Sequence, residues 1–332
     1  MSSIRLAVDI GSSKTAIYQV GGGVILSEPS IVAVSSVGRK SVVTVGKEAK
    51  KLLGKSANGT SVIFPVSEGE IARANYAENM LKEFFRRIEL SSFTSSEVLA
   101  VIPCGLEGKK IQRFREVFSA AGANNVKFLE NPIAVAVGMN APVTESDPCF
   151  VIDMGGEITN IAAASLDGVI AGVSVNVGGV NIDNMLIDRV EETYGLRIGA
   201  QTAERLKCDI GSLLPDDTTS TVINGRDMNS GNPRAMQIQA KDIIEPVKLY
   251  VNKIYEIASM VMAKLPPEVS AEIRKTGVYL AGGLSKIVGL EEYFHNEFAL
   301  SVKVSQDPQL SAVVGAGRIM QNEKAYKKLR IL

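Results

Sequence analysis

Two short segments place an aspartate at the same point of the same pattern. The first is LAVDIGSSKTAIYQV, Leu6 to Val20, and the second is FVIDMGGEITNIAAAS, Phe150 to Ser165. In each, an apolar run ends in Asp, a turn of small residues follows, and a second apolar run returns. Small residues let backbone N–H groups approach an anion closely, and an aspartate at the lip can hold a hydrated divalent cation. The chemistry on offer is polyphosphate binding. Asp9 and Asp153 would share one Mg²⁺ held largely through waters. Gly11, Ser12, Ser13 and Lys14 would address one side of the phosphate chain, and Gly155, Gly156 and Thr159 the other. Either segment alone also reads as a bare hairpin with a solvated aspartate. The pair, each leading one half of the chain, points to duplicated halves clamping one phosphate chain.

Further residues fit around that pair. The turn Ala281-Gly282-Gly283-Leu284-Ser285 follows an apolar strand and precedes a helix. Its backbone can lie flat against a purine or ribose, although alone it is an ordinary strand-to-helix turn. Glu204 and Lys207 stand three apart on a helix and so share a face. They can hold ribose hydroxyls, or form a surface ion pair of little worth.

The elements that position these groups alternate strand and helix, which implies an α/β fold. Each aspartate turn is read as a β-hairpin. Residues 31–65 read as short strands and a helix start. Ala77, Met80, Leu81, Phe84, Phe85 and Ile88 fall at helical spacing. VLAVIPCG (Val98 to Gly105) reads as a buried strand, and KKIQRFREVFSAAGA as a helix capped at Gly122. Asn181 to Gly211 reads as helical, and Asn224-Gly225 as a hairpin turn. Asp242 to Leu265 reads as a long helix with Pro246 in its first turn.

Composition narrows the function classes. A chain of 332 residues exceeds one compact core, so two lobes are expected. Lys plus Arg and Asp plus Glu both number 36, so no basic coat for nucleic acid exists. The single histidine, His295, gives His-based catalysis almost no support. Cys104, Cys149 and Cys208 are scattered and odd in number, as in a reducing compartment. The sequence has no signal-peptide pattern and no apolar stretch of membrane-span length, so a cytosolic location is expected.

These motifs, in this order, resemble a known family. The two phosphate hairpins, the helix opened by LENPIAVAVG, the AGGLS turn and the closing DPQLSAVVGAGRIM resemble the nucleotide elements of actin-like ATPases. ILSEPSIVAV, VGKEAKKLLGK, TAERLKCDIGS, AKLPPEVSAEI and TGVYLAGGLSKIVGLEEYF resemble the MreB and Mbl family of bacterial actins along essentially the whole chain. The resemblance implies an actin-like fold: two lobes of duplicated ribonuclease-H-like subdomains with a nucleotide cleft between them. By that likeness, residues 1–31, 67–146 and 312–332 form subdomain IA, and 32–66 form IB. Residues 147–181 and 242–311 form IIA, and 182–241 form IIB. It also implies ATP with Mg²⁺, homopolymer filaments at the inner membrane face, cell-wall elongation partners and a role in cell shape.

Two departures from the family pattern concern catalysis. Where the family usually has Glu to orient the attacking water, this chain has Asn131, with Glu130 one place earlier. An amide can hydrogen-bond water but cannot take its proton, so a slow ATPase is expected, with Asp153 beside it on the metal. The second turn reads Gly-Gly-Glu, and Glu157 would repel a γ-phosphate unless turned outward or bridged by metal. A membrane contact is expected at Leu90 and Phe93, with a loop packed on its own lobe as the equal alternative. The tail AYKKLRIL is read as a solvated helix end. The rival functions are a non-polymerising FtsA-like or chaperone-like ATPase and, third, a sugar kinase, for which no aspartate base stands out.

Overall fold

The computed structural model describes residues 4–35, 41–54, 59–89, 96–143, 147–322 and 326. Its two five-stranded sheets share one topology. In the first, Asn125–Glu130, Ser96–Ile102 and Ile4–Ile10 run parallel, and Ile4–Ile10 continues antiparallel into Lys14–Gln19 and Gly23–Pro29. In the second, Val302–Val304, Val278–Ala281 and Cys149–Met154 run parallel, and Cys149–Met154 continues antiparallel into Thr159–Ser165 and Gly168–Val175. The duplication read from the two aspartate segments is therefore a duplication of whole sheets. Each lobe also carries a three-stranded sheet: Val32–Ser35, Val42–Val45 and Thr60–Ile63 in the first, and Leu196–Arg197, Ser220–Asp227 and Pro233–Gln239 in the second.

Strands buried on both faces must be apolar throughout, and VLAVI and FVI are. Each lobe has its own core. Phe84, Phe85, Phe118 and Phe128 anchor the first, and Ile182, Leu186, Val247 and Phe294 the second. A third cluster joins the lobes below the cleft, drawing Leu99, Ile133, Ala134 and Val313 from one side and Val151, Tyr279 and Ala281 from the other. At its centre the helices Asn131–Gly138 and Ser311–Gln321 cross so closely that a side chain at Gly315 would strike the Ala134 carbonyl. Arg318 then donates through Nη1 to the Gly138 carbonyl at 2.9 Å and to Asn140 Oδ1 at 2.8 Å. That satisfies a carbonyl which the end of the helix leaves without an intrahelical donor.

Three expectations change in detail. The span Asn181 to Gly211 is two helices, Gly179–Tyr194 and Ala200–Ile210, because Gly195 takes a left-handed φ of 58° and Leu196–Arg197 becomes a strand. Asn224-Gly225 is no turn; both residues lie in the strand Ser220–Asp227, paired with Ala235 and Arg234. The chain reverses at 228–232, where Asp227 Oδ1 accepts from the amides of Asn229 and Ser230. Pro246 falls in the second turn of the helix Ala240–Met262, not the first. Leu90, Phe93 and the tail residues 327–332 lie outside the described residues. Among the described residues no helix is long and apolar enough to cross a membrane.

Candidate nucleotide cleft

The two hairpins have the same register. Asp9 stands opposite Ala16 in one, and Asp153 stands opposite Asn160 in the other. Each turn is closed by one backbone bond of 2.9 Å, Gly11 N–H to Lys14 O and Gly155 N–H to Ile158 O. The turns meet tip to tip, since any side chain on Gly156 would collide with Ser13 Oγ and approach Ser12 Oγ. Two strand ends, each carrying an aspartate, thus converge from opposite lobes.

Their electrostatics fit a divalent cation with a polyanion. Burial, then the neighbouring Asp153, push Asp9 up to about 7, against the pull of Lys14. Burial pushes Asp153 up to about 6, although Asn131 and Asn160 hydrogen-bond its carboxylate. Burial and the ammonium groups of Lys286, Lys47 and Lys50 hold Lys14 below the usual lysine range, with Asp9 opposing. Crowded carboxylates beside crowded ammonium groups are both relieved by Mg²⁺ and phosphate. Among the described residues no group of three or more His, Cys, Asp or Glu is placed to hold a metal ion by itself. Mg²⁺ suits such a site, because it keeps several waters and needs few protein carboxylates.

The other sequence-derived residues take varied positions. Asn131 is buried and donates from Nδ2 to Asp153 Oδ2 at 2.7 Å. Its Oδ1 is buried without a hydrogen-bond partner, an acceptor suited to a water. Glu130 accepts from the Gly105 amide at 2.9 Å and so is engaged by the loop after Ser96–Ile102. Thr159 is fully buried and its hydroxyl donates to the Val177 carbonyl at 2.6 Å, so it braces the neighbouring turn instead of lining the cleft. Glu157 turns outward, its Oε2 accepting from Ser67 Oγ at 2.9 Å and from the Glu68 amide at 2.6 Å.

The turn at Gly282, Gly283 and Leu284 packs directly on the second aspartate turn. A side chain on Gly282 would strike the Met154 backbone, and Leu284 is buried near Gly179. Glu204 and Lys207 do not pair with each other. Glu204 meets Lys50 of the other lobe at 3.0 Å, and Lys207 meets the buried Asp183 at 2.7 Å and the Gly179 carbonyl at 3.0 Å. Lys14 Nζ also crosses between lobes, to Gln309 Oε1 at 2.6 Å.

Sequence reasoning missed Asn160 and Gln309. Asn160 hydrogen-bonds Asp153 and accepts from the Cys104 amide at 3.0 Å, joining the second turn to the first lobe. Writing out the hairpin register would have found it, because it lies directly opposite Asp153.

A family profile described as MreB/Mbl protein matches residues 3–328. This chain belongs to the MreB/Mbl family. It is 34% identical over 327 residues to the cell shape-determining protein MreB of Escherichia coli K12, covering 97% of this chain and 94% of that one. It is 29% identical to the cell shape-determining protein Mbl of Bacillus subtilis 168, covering 98% of both. The crystal structure of MreB5 of Spiroplasma citri bound to ADP superposes with a TM-score of 0.91 at 27% identity, covering 98% of each chain. The MamK double helical filament shares the fold, with a TM-score of 0.80 at 19% identity, covering 97% of this chain and 99% of that one. The family and the actin-like fold inferred from the motifs are thereby borne out.

Proposed function

We propose that this MreB/Mbl protein is an ATP-binding, filament-forming bacterial actin whose cleft acts as an assembly switch with slow hydrolysis. The observation that carries the reading is the pair of duplicated aspartate turns meeting tip to tip from opposite lobes. Asp9 and Asp153 would hold Mg²⁺, and Gly11, Ser12, Ser13, Lys14, Gly155 and Gly156 would hold phosphates. Gly282, Gly283 and Leu284 would meet the purine, and Glu204 and Lys207 the ribose. Mg²⁺, when bound, neutralises charge on the phosphates.

The remaining work falls to the chain's own groups. Asn131 fixes the orientation of Asp153 through Nδ2 and leaves Oδ1 to hold a water. An amide cannot accept the proton of that water, which supports a slow turnover. The cell shape-determining relatives favour a filament over a non-polymerising adaptor, and the Spiroplasma citri protein solved with ADP and with AMPPNP favours an adenine nucleotide.

Filaments of this kind would lie at the inner membrane face beside cell-wall elongation proteins, with Leu90 and Phe93 touching lipid. Two apolar residues bind weakly alone, but a filament multiplies them. Replacing both with Ser should release filaments from anionic liposomes without preventing assembly; unchanged co-sedimentation would place the contact elsewhere. Sedimentation with and without ATP and Mg²⁺, followed by electron microscopy, tests the function itself. Nucleotide-dependent pelleting with visible filaments is expected, and a protein that binds ATP yet never pellets would favour the adaptor.

A further inference from the structure

The turn Ser67–Glu70 is the tip of a hairpin in the first lobe, formed by the pairs Val66–Ile71 and Ser67–Glu70. Its two central residues both have positive φ, 52° at Glu68 and 76° at Gly69. That is the conformation of a tight mirror-image turn, and glutamate adopts it only at some strain. The strained residue is the one whose amide reaches Glu157. Ser67 Oγ reaches the same carboxylate oxygen, and Gly69 packs against Ile158 Cδ1 and Pro103 Cγ. The second aspartate turn is therefore gripped across the cleft at consecutive residues, 157 by hydrogen bonds and 158 by packing.

The first aspartate turn carries Ser13 and Lys14 at the matching positions. Ser13 faces the opposite turn and Lys14 crosses to Gln309. Neither residue touches a hairpin of this kind among the contacts described. Glutamate at 157 therefore coincides with a donor pair from the other lobe, where a glycine would offer no acceptor side chain.

We propose that Glu157 is a positioning residue that clasps the second phosphate turn to the Ser67–Glu68 hairpin, holding the lobes closed without help from nucleotide. The inference builds on the nucleotide cleft proposed above, but the contact itself needs no ligand. A charged acceptor that takes two donors makes strong bonds, and these withdraw its charge from the phosphate position. Closure in this chain is then set in part by Glu157, so bound nucleotide leaves the cleft slowly.

Hydrogen exchange on nucleotide-free, full-length protein tests the clasp. Glu157→Gly should speed exchange across residues 66–71 by about tenfold or more, the scale of a lost hydrogen bond to a charged group. Glu157→Gln keeps an acceptor oxygen and should restore most of the protection. Ser67→Ala removes one donor without touching the phosphate turn and should give an intermediate rate. Release of labelled ADP should rise in the same order, Gln, Ala, then Gly. Exchange that is unchanged in both Glu157→Gly and Ser67→Ala would overturn the clasp, as would a Gln variant no more protected than Gly. Failure of the unmodified protein to bind ADP would sink the nucleotide reading instead, and the exchange result would still stand.

Discussion

The two aspartate turns have one backbone and two chemistries. Both close with the same amide-to-carbonyl bond, and both present an aspartate at the same register position. Around Asp153 the chain supplies two amide side chains, Asn131 and Asn160. The acceptor-only Asp9 faces Lys14 across its own turn and Ala16 across its strands. The shared backbone sets where a charge stands in each turn, and the surrounding side chains decide how that charge is held. The first turn presents its tip to the cleft, whereas the second is bolted to its surroundings through Glu157, Thr159 and Asn160.

The largest difference should appear when each aspartate is removed. Asp9→Ala and Asp153→Ala should both abolish Mg²⁺-dependent nucleotide binding, but their effects on folding should diverge. Asp153→Ala strands the Asn131 and Asn160 amides and should cost about 1–3 kcal/mol of stability. Asp9→Ala removes a buried carboxylate, and its repulsion with Asp153, without stranding an amide partner, and should leave the nucleotide-free protein at least as stable at pH 8. Chemical denaturation of both variants checks this, and equal losses would erase the asymmetry.

Next comes Lys14→Ile, which gives the first turn the residue that the second turn carries as Ile158. Losing the ammonium group should weaken ATP binding about tenfold, and more at low salt, as expected for a partly buried charge facing phosphate. Titration calorimetry at two salt concentrations reads it out, and salt-independent weakening would argue for a purely steric role.

A pH series sharpens the comparison further. Both aspartates bind protons more tightly folded than unfolded, since their values rise from 3.8 to about 7 and about 6. Without metal, the stability that these two aspartates contribute should be greatest at acid pH. It should fall as pH rises from about 4, level near 6 for the Asp153 share and continue to about 7 for the Asp9 share. Melting curves in chelator should show this slope, and Asp9→Asn should remove its upper part.

The smallest effect concerns the threonines that follow each turn. Thr15 pairs its hydroxyl with Ser30 Oγ at 2.8 Å, and Thr159 with a backbone carbonyl. Thr159→Val should cost about 1 kcal/mol of stability by leaving that carbonyl unpaired, with nucleotide affinity little changed. A large loss of affinity with stability intact would return Thr159 to the phosphate site.

Local patterns made the hairpins, the connecting helix and the Gly-rich turn readable in the sequence, because each depends on residues a few places apart. The misread Asn224-Gly225 shows the limit of such signals. Gly225 lies so close to the Arg197 carbonyl that a side chain would not fit, so its glycine serves strand packing instead of a turn. The partners of Glu157, Lys14 and Glu204 were hidden for a different reason. Each lies on the other lobe, at a separation no periodicity reports. Asn131 was visible as a departure from the family pattern, but its role as a donor to Asp153 required the fold.

One measurement bears most directly on the claim that the duplicated turns form a single metal–nucleotide site. Equilibrium binding of a fluorescent ATP analogue, with Mg²⁺ and then with chelator, should be run on the parent, Asp9→Ala and Asp153→Ala. The account predicts tight binding by the parent with Mg²⁺, clear weakening with chelator, and no Mg²⁺-dependent increment in either variant. Parent-like, Mg²⁺-dependent affinity in either variant would contradict it.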